Sequence, residues 1–579
     1  MKHKILLLSA AAFMATPAVG WAQDFERVIP VPPPPRPSPQ VQAPAPPPPP
    51  ANDPTVLAPA LNGLVFVPGL ASFEPRGVDA SYVPNGEVAA PGLPLLSSPG
   101  FAADMAPFLG RPLTRSTLEQ ITAAVRETYV ASERPFLEVS VPEQNIQNGI
   151  VQIVVTEYRL GEVRVSGANH FSDSLIRRYG NLQPGEVLTL PRMRRALDDF
   201  NQNPFLAVDA VVQPGEITGY SDVVVEAKDE RPIRVYGGYD NQGVPNLGRA
   251  EWNIGFNAGN LFGAGQIFSY QYTRSFTGRY QSHSFSDVIP MHGGTRLLLF
   301  GAYAKQKPEI AFGFGSEGHS AQLSGRFSHR LEDIGRASQT YQIGLDYKNV
   351  DNNLEFQGFR LLRTNVEIVQ FPFVYSLSIP DDWGSTEIEN LAVFSPGNVT
   401  VHNGDEDIRA LVPGSDATYG YDRLTVTRTT RLPGDVTWIV RGLAQIASTN
   451  LPYSEQIGAG GLGTVRGYDS NTALGSQGYL LSTELRAPAF SFVRLLERDS
   501  PVRDSLQLGV FFDYADVDQR TAFPDLLQSG AELASVGFNI HYNFQDAFAV
   551  QFEVGHQLRR APGADDRHTL AAVVVSMGF

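Results

Sequence analysis

Arg466 stands in the run Gly460-Gly461-Leu462-Gly463-Thr464-Val465-Arg466-Gly467-Tyr468. Its guanidinium is a planar fork of five donors, always charged, and suited to a carboxylate or a phosphate. The glycines around it open backbone conformations closed to other residues, so the segment can fold back tightly and carry the arginine on little bulk. A phosphate cradle of the Walker type needs Gly-Lys-Ser/Thr at the opening of a helix, and no lysine or helix signal follows here. Other chemistry is scarce. The chain has no cysteine, no His-Glu-x-x-His pair and no Gly-x-Ser-x-Gly elbow, which leaves no thiolate, zincin or hydrolase reading. Asp405-Glu406-Asp407 has the charge for calcium but reads as a solvated loop. Arg466 therefore asks for a carboxylate partner.

The elements that must position such a pair are strands. From Arg231 onward helical periodicity disappears, and segments of about ten residues alternate between apolar and polar, with Gly, Asn, Asp and Pro turns between them. Tyr479, Leu481, Thr483 and Leu485 alternate with Leu480, Ser482, Glu484 and Arg486. Val536, Phe538, Ile540, Tyr542 and Phe544 alternate with Gly537, Asn539, His541 and Asn543, and Phe548 to Val554 repeats the pattern around Gln551 and Glu553. One face suits lipid and the other a polar lumen, the signature of a transmembrane β-barrel. The length available predicts about sixteen strands at roughly 22 residues per strand and connection. Leu506, Leu508, Val510, Phe512 and Tyr514 form another lipid-type face, so Gly509, Phe511, Asp513 and Ala515 point inward. Asp513 is thus the natural partner of Arg466. The pair would fix orientation as well as charge, and in a water-filled lumen its worth is expected at about 1 kcal/mol or less.

The rest of the chain fits an exported protein. Met1-Lys2-His3-Lys4, the apolar run Ile5 to Met14 and the small-residue site Gly20-Trp21-Ala22 read as a secretory signal peptide. No stretch is long and apolar enough for a spanning helix. The composition, with 54 Gly, 34 Phe and 21 Tyr but only 18% charged residues, suits a barrel with aromatic girdles. The net charge of −15 speaks against a nucleic-acid partner. Pro30 to Pro50 is mostly proline and reads as an extended spacer, with a proline-rich recognition ligand as the alternative. Two mixed modules follow. In the first, Leu64 to Val67 is a strand, Thr114 to Glu119 starts a helix with Leu118, Ile121, Val125 and Tyr129 on one face, and Phe136 to Val141 and Ile150 to Val155 are strands joined through Asn148-Gly149. Gly77 to Gly100 reads as a long loop insertion. The second has a strand at Val163 to Val165, helices at Asp173 to Tyr179 and Arg192 to Asn201, and strands at Phe205 to Gln213 and Asp222 to Ala227.

These residues resemble the two-partner secretion transporters of the outer-membrane-protein-85 superfamily. Val465-Arg466-Gly467-Tyr468 matches the signature at the tip of that family's sixth extracellular loop, which folds into the barrel. Gly509-Val510-Phe511-Phe512-Asp513 resembles the wall motif whose aspartate meets the arginine. Leu109-Gly110-Arg111-Pro112-Leu113 and Pro142 to Gly149 look like parts of the first polypeptide-transport-associated (POTRA) domain. Asn201 to Pro204, Pro214-Gly215 and Gly219 to Asp222 are similar to the second, and Asn260 to Gly263 resembles the first barrel hairpin. The implied organisation is a signal peptide over 1–22, a Pro-rich periplasmic linker over 23–60, POTRA domain 1 over 61–158 with the 77–100 insertion, POTRA domain 2 over 159–229, and the barrel over 230–579. Family members can carry an N-terminal plug helix, and the proline-rich N-terminal segment departs from that.

The resemblance implies a mostly β protein of the outer membrane, with its POTRA domains in the periplasm. It would bind an unfolded exoprotein of adhesin or cytolysin type and pass it through the barrel. It implies no enzyme activity, no cofactor and no metal; its other partners are outer-membrane lipid and the machinery that inserts barrels. The expected lumen residues are Arg466 and Asp513 as a latch, Val465, Gly467 and Tyr468 in the loop, and Gly509, Phe511, Glu484 and Arg486 on the inward wall. An extended client can add to a sheet edge through main-chain bonds, which assigns client binding to Phe136, Leu137, Glu138, Val139, Ser140, Val141 and Gln144, with the Leu118 to Tyr129 helix as the other wall. A barrel-assembly insertase shares the superfamily and the loop motif, and a passive porin would leave the two modules without a role.

Overall fold

The structure is a computed structural model. It describes residue 30 and residues 53–78, 82–83, 88–146, 148–291, 293–309, 314–356, 359–522, 530–545, 547–562 and 564–579. The expected signal peptide over 1–22 and most of the expected Pro-rich linker over 23–60 lie outside the described residues. The described residues form two compact units, one within 35–231 and one within 232–579.

The smaller unit holds both α/β modules. In the first, a four-stranded sheet runs β3 (Val88–Ala89), β2 (Gly63–Pro68), β6 (Ile150–Glu157), β5 (Leu137–Ser140), after the short β1 (Val56–Ala58), which pairs with β4 (Leu113–Thr114). Thr114 caps the helix Arg115–Ala131 by accepting from the Thr117 amide at 3.1 Å, satisfying one of the free N–H groups of its first turn. Ile121, Val125 and Tyr129, one turn apart, are buried beneath it. The described part of 77–100 is more than a loop excursion. Val83, Ala90, Leu93 and Leu96 are buried, and β3 pairs parallel to β2, because this apolar segment closes the exposed flank of the sheet.

The second module orders β7 (Arg159–Ser166), β9 (Tyr220–Asp229), β8 (Leu206–Pro214) under helices Asp173–Gly180 and Leu190–Phe200. The Asp229 carboxylate accepts from the amides of Asn169 at 2.8 Å, Phe171 at 3.0 Å and His170. Burial acts to raise its pKa, and these amides outweigh burial, so the group sits below its ordinary value. Burial likewise pushes the Tyr179 hydroxyl up to about 12.

The larger unit is a closed barrel of sixteen strands, as the segment spacing predicts. They are β10 (Ile233–Asp240), β11 (Glu251–Ala258), β12 (Ile267–Ser275), β13 (Tyr280–Pro290), β14 (Thr295–Gln306), β15 (Phe314–Arg330), β16 (Ser338–Phe356), β17 (Phe359–Asp381), β18 (Gly384–Ser395), β19 (Tyr419–Leu432) and β20 (Val436–Ala447), and, after the small inner strands β21 (Ile457–Ala459) and β22 (Ala473–Gly475), β23 (Gln477–Arg486), β24 (Asp504–Asp518), β25 (Gly530–Phe544), β26 (Phe548–Gln557) and β27 (Thr569–Gly578). All neighbours are antiparallel, and β10 closes on β27 from Tyr236 opposite Gly578 to Asp240 opposite Val574. Closure removes every free sheet edge, which a bilayer demands. Along β24 the period of two is plain: Gly509, Phe511, Asp513, Ala515 and Val517 are buried while Leu508 and Val510 are exposed on the outer wall. Asp405-Glu406-Asp407 is not a loop; it opens the helix Asp405–Leu411. Asp407 caps it by accepting from the Gly404 amide, and Asp405 accepts from the amide of Ala417, beyond the helix. Among the described residues no group of acidic or histidine side chains is arranged to hold a metal.

Candidate functional site

The segment between β20 and β23 turns into the barrel, forms the β21–β22 hairpin and brings Arg466 against the inner wall. The side chain meets Asp513 on β24 side-on: Nε donates to Oδ2 at 2.7 Å and Nη2 to Oδ1 at 2.8 Å. The Arg466 amide donates to the same Oδ2 at 3.0 Å, so one carboxylate holds both backbone and side chain. Nη1 donates to Glu484 on β23. Ser482 donates to Asp513 Oδ1 at 2.7 Å and accepts from Arg466 Nη2 at 3.3 Å. The Phe511 ring, two residues from Asp513 on the same face, lies 3.5 Å from the guanidinium carbon, a cation–π contact. A third acid, Glu553 on β26, stands 3.8 Å away.

This pair differs from the sequence expectation in its surroundings. Arg466 is 7% exposed and Asp513 0%, because the loop and the Phe511 ring exclude water from a site that the alternation alone marks only as facing the lumen. Removing one partner of a buried pair typically costs about 3–5 kcal/mol, against about 1 kcal/mol or less for a solvated one.

The neighbours of Arg466 explain the rest of the motif. Gly467 has a φ of +87°, and a Cβ there would sit 2.7 Å from the Gly555 carbonyl carbon on β26. A Cβ on Gly555 would in turn sit 2.5 Å from the Gly467 nitrogen, so two glycines let the loop backbone lie directly on the wall. The Tyr468 hydroxyl lies 2.9 Å from the Ala534 carbonyl oxygen and 2.6 Å from that of Arg559. Val465 is buried among Ala473, Ala515, Val517 and Leu533. Beyond the motif, Asp469 takes Arg249 side-on at 2.7 and 2.8 Å.

The structure thus brings Arg466, Asp513 and Glu484 together, with Arg486 bonded to Glu484 behind them. Gly509 faces inward against Asn539, whose side-chain oxygen leaves no room for a Cβ. Sequence reasoning did not place Ser482, Glu553 or Arg249 in the site. Ser482 and Glu553 lie on inward faces of the alternation; Arg249 had no signal, because its contact with Asp469 joins segments remote in the chain.

The second candidate site is β5, which is an edge strand of its sheet. The Phe136 carbonyl accepts from the Tyr158 amide at 3.0 Å; in an antiparallel ladder the backbone groups of Leu137 and Val139 then point away from β6. Arg126 on the adjacent helix donates to the Val139 carbonyl at 3.1 Å, which places that helix beside the edge. Leu137, Glu138, Val139 and Ser140 form the strand, and three expected residues lie outside it. Phe136 is buried in the core of the second module, since its ring has an apolar pocket there. Val141 follows the strand's end, where Pro142 cannot extend a ladder. Gln144 is used internally: its amide nitrogen donates to the Gln152 carbonyl at 2.7 Å and its oxygen accepts from the Gln152 amide at 2.8 Å.

Residues 219–539 match the family model described as haemolysin secretion/activation protein ShlB/FhaC/HecB. The chain is 22% identical over 484 residues to the heme/hemopexin transporter protein HuxB of Haemophilus influenzae, covering 80% of this chain and 81% of that protein. It is 21% identical over 405 residues to the outer membrane transporter CdiB-2 of Burkholderia pseudomallei, covering 67% of each. Among solved structures, CdiB from Escherichia coli shares the fold with a TM-score of 0.71 at 19% identity over 90% of both chains.

Proposed function

The chain belongs to the haemolysin secretion/activation family, and from that premise we propose how it works as an outer-membrane transporter of two-partner secretion. An unfolded exoprotein is bound in the periplasm by the two α/β modules, which act as POTRA domains. It passes through the sixteen-strand barrel to the cell surface. The observation that carries this reading is a loop folded into a closed barrel and held there by one arginine on one aspartate. A rigid pore needs no such device. A latch that a partner can lift does, because the lumen must widen only when a client arrives.

Client binding is assigned to the outward edge of β5. Main-chain bonds there supply affinity without demanding a sequence, as an extended and unfolded client requires. Lipid surrounds the apolar outer wall, and the barrel is inserted by the cell's barrel-assembly machinery. The client is a large exported protein of adhesin or cytolysin type. Deleting the gene is expected to abolish surface display of that one protein and to leave other outer-membrane barrels at normal abundance. General loss of outer-membrane barrels would instead make the chain an insertase and overturn the proposal.

A further inference from the structure

The loop that carries Arg466 is also held at its root, by a separate charged cluster. Glu455 ends the short turn Tyr453–Glu455 before β21 and is 1% exposed. Lys348 on β16 donates to its Oε1 at 2.7 Å. Gln370 on β17 and Tyr421 on β19 donate to its Oε2, each at 3.0 Å. The Glu455 carbonyl accepts from Gln445 on β20 at 3.1 Å and from Arg423 on β19 at 3.4 Å. Tyr419 fixes the Gln370 amide by donating to its oxygen at 2.9 Å. One loop residue therefore gathers side chains from four wall strands, and both of its carboxylate oxygens are used.

The two attachments are built differently. At the root one carboxylate meets one ammonium and is saturated by neutral donors. At the tip three carboxylates, Asp513, Glu484 and Glu553, surround Arg466, Glu484 being shared with Arg486, and one Glu553 oxygen has no hydrogen-bond partner. The tip also borders a cavity of ≈ 200 Å³ that opens to solvent, lined by Gly467, Tyr468, Asp469 and Glu553 among others. An arginine leaving Asp513 has space and a spare acid to move toward. A glutamate leaving the root would give up its bonds to Lys348, Gln370 and Tyr421 together in a buried place, the costly way to break an ion pair. Between the two points the loop carries Gly458, Gly460, Gly461 and Gly463, which suits a hinge.

We propose that Glu455 is a positioning residue for transport: it stays bonded to Lys348 while the tip leaves Asp513, so that the loop swings about its glycines instead of withdrawing whole. This rests on the latch reading of Arg466, and the test keeps the two apart. The chain has no cysteine, so a Lys348→Cys, Glu455→Cys pair can be joined selectively by a short bis-maleimide. Full-length protein in the outer membrane is used, and secretion is counted per folded barrel, with folding judged by mobility on unheated gels. The unjoined pair is expected to lose secretion and to raise the open-channel conductance in planar bilayers, which mere destabilisation would not do per folded barrel. Joining the two cysteines is expected to restore both. Loss of secretion that joining does not restore would show that the root must leave the wall, and would overturn the proposal, as would an unjoined pair that behaves like the parent. If the pair fails to fold, the charge-preserving exchange Lys348→Glu with Glu455→Lys replaces it, and is expected to recover secretion relative to Glu455→Lys alone; no recovery overturns the proposal. The Arg466→Ala variant, with the root untouched, reports separately on the latch.

Discussion

The loop tip in the lumen and the edge of the first module are both read as sites of transport, yet they are made of opposite materials. The tip is side-chain chemistry: a guanidinium, two carboxylates bonded to it, and an aromatic ring, nearly all dry. The edge is backbone: the outward Leu137 carbonyl and Val139 N–H, since Arg126 takes the Val139 carbonyl and Pro135 the Leu137 amide, with side chains that serve the module's own core. The difference follows from what each must do. A latch must exist in one closed arrangement and be breakable, so it depends on identity and geometry. A surface that accepts an unfolded chain must tolerate any sequence, so it depends on main-chain bonds.

On this contrast, substitutions at the tip act through identity and those at the edge only through the backbone. The largest effect is expected from Arg466→Ala, which strands the buried Asp513, leaves Glu484 with Arg486 alone and costs about 3–5 kcal/mol at the closed state. Secretion per folded barrel should be nearly lost and channel conductance should rise; normal secretion would remove the tip from the mechanism. Gly467→Ala comes next. Its left-handed φ costs of order 1–3 kcal/mol before the contact with Gly555 is counted, so the loop should be displaced and show increased protease access with Arg466 still present. At the edge, Val139→Pro should lower client binding several-fold in a pull-down, because proline removes an outward N–H that an edge strand can spare for its own fold. Glu138→Ala should change binding little, and a large loss there would mean that the edge reads side chains after all.

The smallest effect concerns acid. Asp229 titrates below its ordinary value in the folded state, so its contribution is fully present above the unfolded value, 3.8, and is lost as pH falls through the lower folded one. Hydrogen exchange at His170 and Phe171, corrected for intrinsic rates, should therefore rise as the medium is acidified through that window. Asp229→Asn should flatten the dependence. This module property leaves the latch untouched, and a parallel change in conductance would break the separation between the two regions.

Much of this was legible in the sequence because a barrel wall obeys a period of two. Asp513 and Glu484 could be placed on the inner face from their neighbours alone, and Arg466 from its glycines. What alternation could not give was depth: it says which way a residue points, not whether a loop covers it, so the burial of the Arg466–Asp513 pair was missed. The Arg249 contact with Asp469 and the Lys348 contact with Glu455 were missed for a related reason, since both join a folded-in loop to segments remote in the chain. Phe136 was misplaced because an apolar residue beside a strand reads as part of it, when its ring belongs to the next module's core.

The central claim is that Arg466 and Asp513 act as one unit, and a double-mutant cycle on secretion per folded barrel tests it most directly. Arg466→Ala and Asp513→Ala are each expected to impair secretion, with the double variant no worse than the worse single one. Losses that add in the double variant would show that the two residues act separately, and would contradict the latch.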